Sequence, residues 1–202
     1  MGRSAFDPEF QITSIDSKLF ATIEKLGEVV RSLQWEKAKK LKLSPLQLQT
    51  LIFLKNHKAA LRKPALIAEE FSVTKATVSD AIKSLLQKGL IIKEADPEDS
   101  RSTFIHLSAK GEELSQELEQ YPNSVLASIN ELSQANKETL LAEHLKLISS
   151  VQKAGIISSP RMCFSCKFYE GDSENKHFCQ LLKQKLALKD LRIDCVEHEL
   201  SE

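Results

Sequence analysis

A mainly helical chain interrupted by one short β-hairpin, and finished by a small cysteine-rich subdomain, is the fold class this sequence predicts. Three observations predict it. Apolar residues recur at helical spacing over most of the first 155 positions, the period switches to two just after Gly89, and all four cysteines fall within the last forty residues. At 202 residues the chain can hold one full core and a small appendage, since a domain usually takes about 100–200 residues.

The opening "MGRSAFDPEF" lacks helical periodicity, and residues 1–14 are read as a disordered lead or tag remnant. From Ile15, "IDSKLFATIEKLGEVVRSLQWEKAKKL" sets Leu19, Ile23, Leu26, Val30 and Leu33 on one side of a long amphipathic helix, with Asp16 or Ser17 as its cap. "LSPLQLQTLIFLKNH" follows, with Ser44 at the cap position and Pro45 in the first turn; its Leu46, Leu48, Leu51, Ile52 and Leu54 point to a core helix.

"KPALIAEEF" is a short helix opened by Pro64, and "SVTKATVSDAIKSLLQKGL" is another, running from a Thr74 cap to a stop at Gly89. Phe71, Ser72 and Val73 join the two. Paired helices on so tight a turn, with Leu66, Ile67, Val73, Val78, Ile82 and Leu85 apolar, have the pattern of a helix-turn-helix. The strands "LIIKEAD" and "STFIHLS", separated by the turn "PEDSR", form a hairpin directly after it. That order is a winged helix-turn-helix, an α+β unit.

A helix resumes after Ser108, and Pro122 is expected to kink or break it, because proline removes a backbone donor and clashes with the preceding turn. A last helix runs from a Ser133 cap to Gly155 with Leu140, Leu141, Leu145 and Ile148 on its apolar face, and "IISSP" links it to the cysteines. The predicted domains are therefore a winged-helix and dimerisation unit over 15–155 and a metal-binding segment over 156–202.

Three stretches, "LSPLQLQTLIFL", "LIAEEFSVTKATVSDAIKSLLQKGLI" and "DPEDSRSTFIHLSAKG", resemble the MarR family of bacterial winged-helix regulators. The last is the most specific, with an acidic-x-Arg wing tip, a strand, then a small polar cap and Lys-Gly. The resemblance spans roughly residues 15–155. It implies a homodimer in which the terminal helices of two subunits interlock and present two winged helices to a palindromic operator. The chain departs from the family pattern at Ser72, where a glycine is usual, and at Asp80, in a stretch that often carries a basic residue.

For reading bases, the candidates are Thr74, Lys75, Thr77, Val78 and Ser79 in the first turns of the recognition helix, with Lys83 one turn on. Hydroxyls and Lys75 can reach phosphates or base edges, and the methyls of Thr77 and Val78 could meet thymine. Val78 could equally be core. Arg101 at the wing tip suits the negative potential of a narrow minor groove, its bland alternative being a surface ion pair with Asp96, Glu98 or Asp99. Formal charge is zero overall, but residues 55–110 hold ten Lys or Arg against seven Asp or Glu, a local excess of three. The balance thus permits a polyanionic partner without announcing one.

The cysteine spacing is Cys163-x2-Cys166-x12-Cys179-x15-Cys195. A C-x2-C pair chelates from one tight turn and two later cysteines complete four ligands, which predicts a metal site. Zinc is the first reading. A zinc ribbon usually has two C-x2-C knuckles, and the single one here leaves an iron–sulfur cluster as the alternative. Four cysteines fill a tetrahedron, so His177 and His198 are read as hydrogen-bonding neighbours, not ligands. The centre is either a structural staple or a sensor of metal or redox state.

The resulting expectation is a homodimeric DNA-binding repressor, not an enzyme, since no nucleotide loop or nucleophile triad is present. A redox or metal-centre protein using the winged helix for docking is the alternative, with a protein-binding adaptor behind it. No membrane span or secretory leader is legible, which predicts a cytoplasmic protein. The sequence specifies no small-molecule effector.

Overall fold

The computed structural model describes residues 4–99, 101–157, 161–171 and 176–201. Positions 1–3 of the predicted lead, Ser100 of the wing turn and 158–160 of the predicted linker lie outside the described residues. Helix α1 spans Pro8–Thr13, so most of the segment read as a disordered lead is in fact structured. The missed signal was Asp7-Pro8: the Asp7 carboxylate accepts from the Glu9 amide at 3.0 Å, and proline sits in the first turn. Phe6 meets Phe20 edge-on at 5.8 Å, holding the lead against the next helix.

Helix α2 runs Ile15–Lys40, capped by Ser14 instead of Asp16 or Ser17. Helix α3, Pro45–Asn56, starts with a full capping box between Ser44 and Gln47. Helices α4, Pro64–Glu70, and α5, Lys75–Gln87, are the predicted helix-turn-helix, and the Thr74 hydroxyl accepts from the Thr77 amide at 3.1 Å. Ser72 in the turn has φ of 51°, the left-handed conformation that explains why a glycine suits this place.

Gly89 ends α5 at φ of 66°, and the chain turns into β1, Ile91–Ala95, which pairs antiparallel with β2, Thr103–Leu107. Ile91 faces Leu107 and Ala95 faces Thr103. The wing is fastened at both ends. At its tip end the buried Asp96 carboxylate accepts from Lys63 at 2.6 Å, and at its base the Ser108 hydroxyl donates to the Gly89 carbonyl at 2.7 Å. Ser108 also caps α6, Ala109–Leu118. Gly111 in that first turn lies so close to the hairpin that a Cβ there would sit 1.9 Å from the Leu90 carbonyl oxygen. Ser108 and Gly111 of the Ser-Ala-Lys-Gly stretch are thus packing requirements.

Pro122 breaks the following helix as expected, and α7, Asn123–Asn130, begins just after it. Helix α8 spans Gln134–Lys153 from a Ser133 cap, and Gly155 follows at φ of 72°. The main core joins Leu48, Leu51 and Leu54 of α3 to Ile67 of α4, Val78, Ile82 and Leu85 of α5, Ile105 of the wing and Leu118 of α6. The cysteine-bearing segment forms a three-stranded antiparallel meander of β3, Tyr169–Gly171, β4, His177–Cys179, and β5, Gln184–Leu186. It has its own small core, in which Met162, Leu186 and Leu191 pack on Leu145 of α8. No described helix is long and apolar enough to cross a membrane.

Two outcomes test this framework. Gly111→Ala should destabilise the protein by about 1–3 kcal/mol or more in denaturant unfolding, because backbone must move to admit the methyl group. Lys63 holds the Asp96 carboxyl below its ordinary range, with the Glu98 amide assisting. A depressed folded-state value contributes stability in full above about pH 3.9, and that contribution fades as pH falls through the folded value. Asp96→Asn should therefore lower the melting temperature at pH 7 and have a shrinking effect toward pH 3; a gap that widens in acid would contradict the assignment.

Candidate nucleic-acid interface

The outer face of α5 carries Thr74, Lys75, Ala76, Thr77, Ser79, Asp80 and Lys83, all exposed. Amphipathicity dictates this: Val78, Ala81, Ile82 and Leu85 take the opposite face into the core. Val78 is 0% exposed, which corrects its reading as a base contact. Its methyls fill the space beneath the helix and cannot reach a thymine. Thr74 and Thr77 are linked by a 2.8 Å hydroxyl pair, so the cap also orients the exposed Thr77 side chain. Lys75 and Lys83 make no ion pair among the described residues.

Arg101 projects from the wing tip with its side chain 92% exposed. The Asp99 carboxylate accepts from the Arg101 amide at 3.0 Å and lies 3.5 Å from its Nε. Asp99 therefore shapes the turn through the backbone. The side-chain pair, exposed and long, is worth about 0–1 kcal/mol and leaves the guanidinium available. Among the described residues neither Asp96 nor Glu98 pairs with it, and Asp96 is committed to Lys63.

The supporting residues were not legible in the sequence. Lys63, just before α4, lies 4.8 Å from the Phe104 ring centroid as well as against Asp96, and the Arg62 carbonyl accepts from the Ile105 amide at 2.9 Å. The segment before α4 thereby fixes the wing relative to the helix-turn-helix. No local pattern announces contacts between residues more than thirty positions apart.

The four cysteines form a second constellation. Cys163 and Cys166 flank a 3-10 turn over Cys163–Ser165, Cys179 ends β4, and Cys195 sits in the terminal loop. All four line one cavity, together with Phe168, Leu186, Leu191 and Arg192. None of the four is in a disulfide. Burial pushes the Cys163 thiol up, the Arg192 amide opposes this by donating to its sulfur at 3.2 Å, and the other three cysteines add to the rise. His177 and His198 stay outside the lining: the Tyr169 hydroxyl lies 2.7 Å from His177 Nδ1, and the Ser165 hydroxyl lies 2.9 Å from His198 Nε2.

Comparison with known proteins bears on the first constellation. Residues 41–102 match the MarR family model. The solved structure of a Staphylococcus aureus MepR–DNA complex is 25% identical, covering 67% of this chain and 96% of its own, with a TM-score of 0.56. A MarR transcriptional regulator from Methanosarcina mazei has a TM-score of 0.58 at 15% identity, with 67% and 97% covered. A MarR protein from Peptoclostridium difficile reaches 0.59 at 20% identity, with 77% and 97% covered. No curated protein matches by sequence. A helix-turn-helix followed by a pinned two-stranded wing makes this part of the chain a winged helix, of which residues 41–102 match the MarR family model.

Proposed function

We propose that this chain is a sequence-specific, DNA-binding transcriptional regulator that acts as a homodimeric repressor on a palindromic operator. Promoter occupancy is its mechanism, and it performs no bond chemistry. The observation that carries the reading is the pairing of an exposed α5 face of threonine, serine and lysine with a solvent-projecting Arg101 on one rigid frame. The likeness to MepR, which is known in complex with DNA, supports it.

In this reading α5 enters the major groove. Thr74, Lys75, Thr77, Ser79 and Lys83 face it, with hydroxyls and ammonium groups that suit phosphates and base edges. Arg101 reaches the flanking minor groove, where negative potential concentrates when the groove is narrow. Asp80 on the same face repels phosphate and accepts from cytosine amino groups, so it acts as a selector in place of a general anchor.

Dimerisation is supported by apolar surface that one subunit leaves uncovered. Along α2, Leu19, Ile23, Leu26 and Val30 are exposed, and Leu140, Leu141 and Leu147 of α8 are as well. A second copy is the occupant this surface suits, because two winged helices then face successive half-sites about 34–36 Å apart.

Two measurements check the reading. In a selection from a randomised duplex pool, the protein should enrich an inverted repeat, and Arg101→Ala should weaken binding to it by about 5- to 150-fold, or about 1–3 kcal/mol, while flattening the salt dependence by roughly one unit of slope. Recovery of no preferred duplex at low ionic strength would refute it. For assembly, Leu26→Glu should shift the protein from dimer to monomer in sedimentation velocity without loss of helical signal, since Leu26 contributes nothing to the subunit core.

A further inference from the structure

We infer that Cys163, Cys166, Cys179 and Cys195 hold an iron–sulfur cluster, and that the loop bearing Cys195 reports its presence to the winged helix through a clasp centred on Asp194. The second half of this inference rests on the DNA-binding reading above.

Three features of the cavity point to a polynuclear group. A single zinc ion, with bonds of about 2.3 Å in a tetrahedron, draws four sulfurs to within about 3.8 Å of one another. Among the described residues no group of three metal-binding side chains is set to hold one ion, yet all four cysteines line the same space. A cluster fits that arrangement, because its iron and sulfide atoms stand between the ligands. Phe168, Leu181, Leu182, Leu186 and Leu191 give the space an apolar wall, as a cluster kept from water requires. Arg192 supplies the third feature: its amide donates to Cys163 Sγ at 3.2 Å and its Nη1 lies 3.9 Å from Cys195 Sγ. Donors and a positive charge aimed at ligand sulfurs compensate the negative charge of a thiolate-bound cluster.

The scaffold that sets these positions is made of backbone. The Cys195 amide donates to the Arg161 carbonyl at 2.7 Å, the Cys163 amide to the Arg192 carbonyl at 2.9 Å, and Cys166 bridges Leu200. Knuckle and terminal loop therefore move together. Bringing Cys179 and Cys195 onto a common group with that knuckle locks the loop in place.

That loop touches the DNA-reading unit on both sides of its cysteine. One residue before Cys195, the Asp194 carboxylate binds His57 Nε2 and, at 2.9 Å, Arg161 Nε. Arg161 in turn pairs with Glu70 at the end of α4, at 2.9 Å. Two residues after Cys195, Glu197 both lines the cysteine cavity and pairs with Lys58. His57 is anchored to the core, its Nδ1 lying 2.8 Å from the Phe53 carbonyl and its ring stacked on Phe53 at 3.9 Å. A rigid loop thus fixes the end of α3 and the end of α4 with respect to each other, and α4 positions α5 across the tight turn. Loss of the cluster frees the loop, slackens this clasp and loosens the reading head.

Protein purified without oxygen should be brown, absorb near 400 nm, and contain iron and acid-labile sulfide. Removing the cluster with a chelator should weaken binding to the selected duplex by about 5- to 150-fold. Asp194→Asn, which touches no cysteine side chain, should keep the absorbance yet bind that duplex equally with and without the cluster. A colourless protein carrying one zinc per chain would overturn the cluster, and equal DNA affinity of loaded and stripped wild-type protein would overturn the coupling. If the brown protein binds no duplex at all, the regulator reading falls and the coupling with it, while the spectrum still establishes the cluster.

Discussion

The burial of one face of α3 is the constraint on which the rest of this structure depends. Leu48, Leu51 and Leu54 are wholly buried, and Phe53 nearly so. Against them rest α5, α6 and the second wing strand, so a single helix sets the spacing of every part of the reading unit. Its start is fixed by a reciprocal cap and its end by stacking of His57 on Phe53. Close packing of this kind transmits displacement, because interior side chains interdigitate without room to yield. A contact made at the far end of α3 therefore has consequences for the wing and for α5.

Much of the fold was legible because its signals are local. Ser44-Pro45, Thr74, Gly89, Ser108 and Gly155 each mark a helix end through a cap or a left-handed backbone, and each does so here. The hairpin was legible from alternation and a charged turn, and its register follows from burial of Ile91 and Ile105. Asp7-Pro8 carried the same kind of start signal as Ser44-Pro45 but preceded too short a run to show periodicity, so α1 went unread. Ser14, not Asp16 or Ser17, caps α2 because the helix begins one turn earlier than its apolar stripe.

The candidate sites were legible in type and less so in detail. Periodicity places Val78 on the same stripe as Ile82 and Leu85, and burial resolves the choice between base contact and core in favour of core. The four cysteines were legible as a set from spacing alone. Their link to the winged helix was not: His57 and Asp194 stand 137 positions apart, and no local rule couples residues at that separation. Lys63 with Asp96 hid in the same way. What escapes a sequence reading here is long-range polar pairing, since propensity and periodicity encode only a residue's near neighbours.

The distribution of those polar pairs also bears on how a chain of zero net charge would address a polyanion, as the proposed function requires. Five cations near the body of the protein are neutralised within it: Lys37 by Glu117, Lys55 by Glu119, Lys63 by Asp96, and Arg161 by Glu70 and Asp194, with Lys58 held by Glu197. On the outer face of α5, Lys75 and Lys83 have no such partner among the described residues, and Arg101 keeps its guanidinium in solvent. Lys75, Lys83 and Arg101 thus leave positive charge on the surface that the fold also makes rigid. A field of that shape attracts phosphate at short range, where counterion release provides the driving force, without the whole-molecule basicity that favours indiscriminate binding. In the proposed DNA-binding role, specificity falls to the short hydroxyls around Lys75, of which Thr74 and Thr77 are held together by their hydroxyl pair.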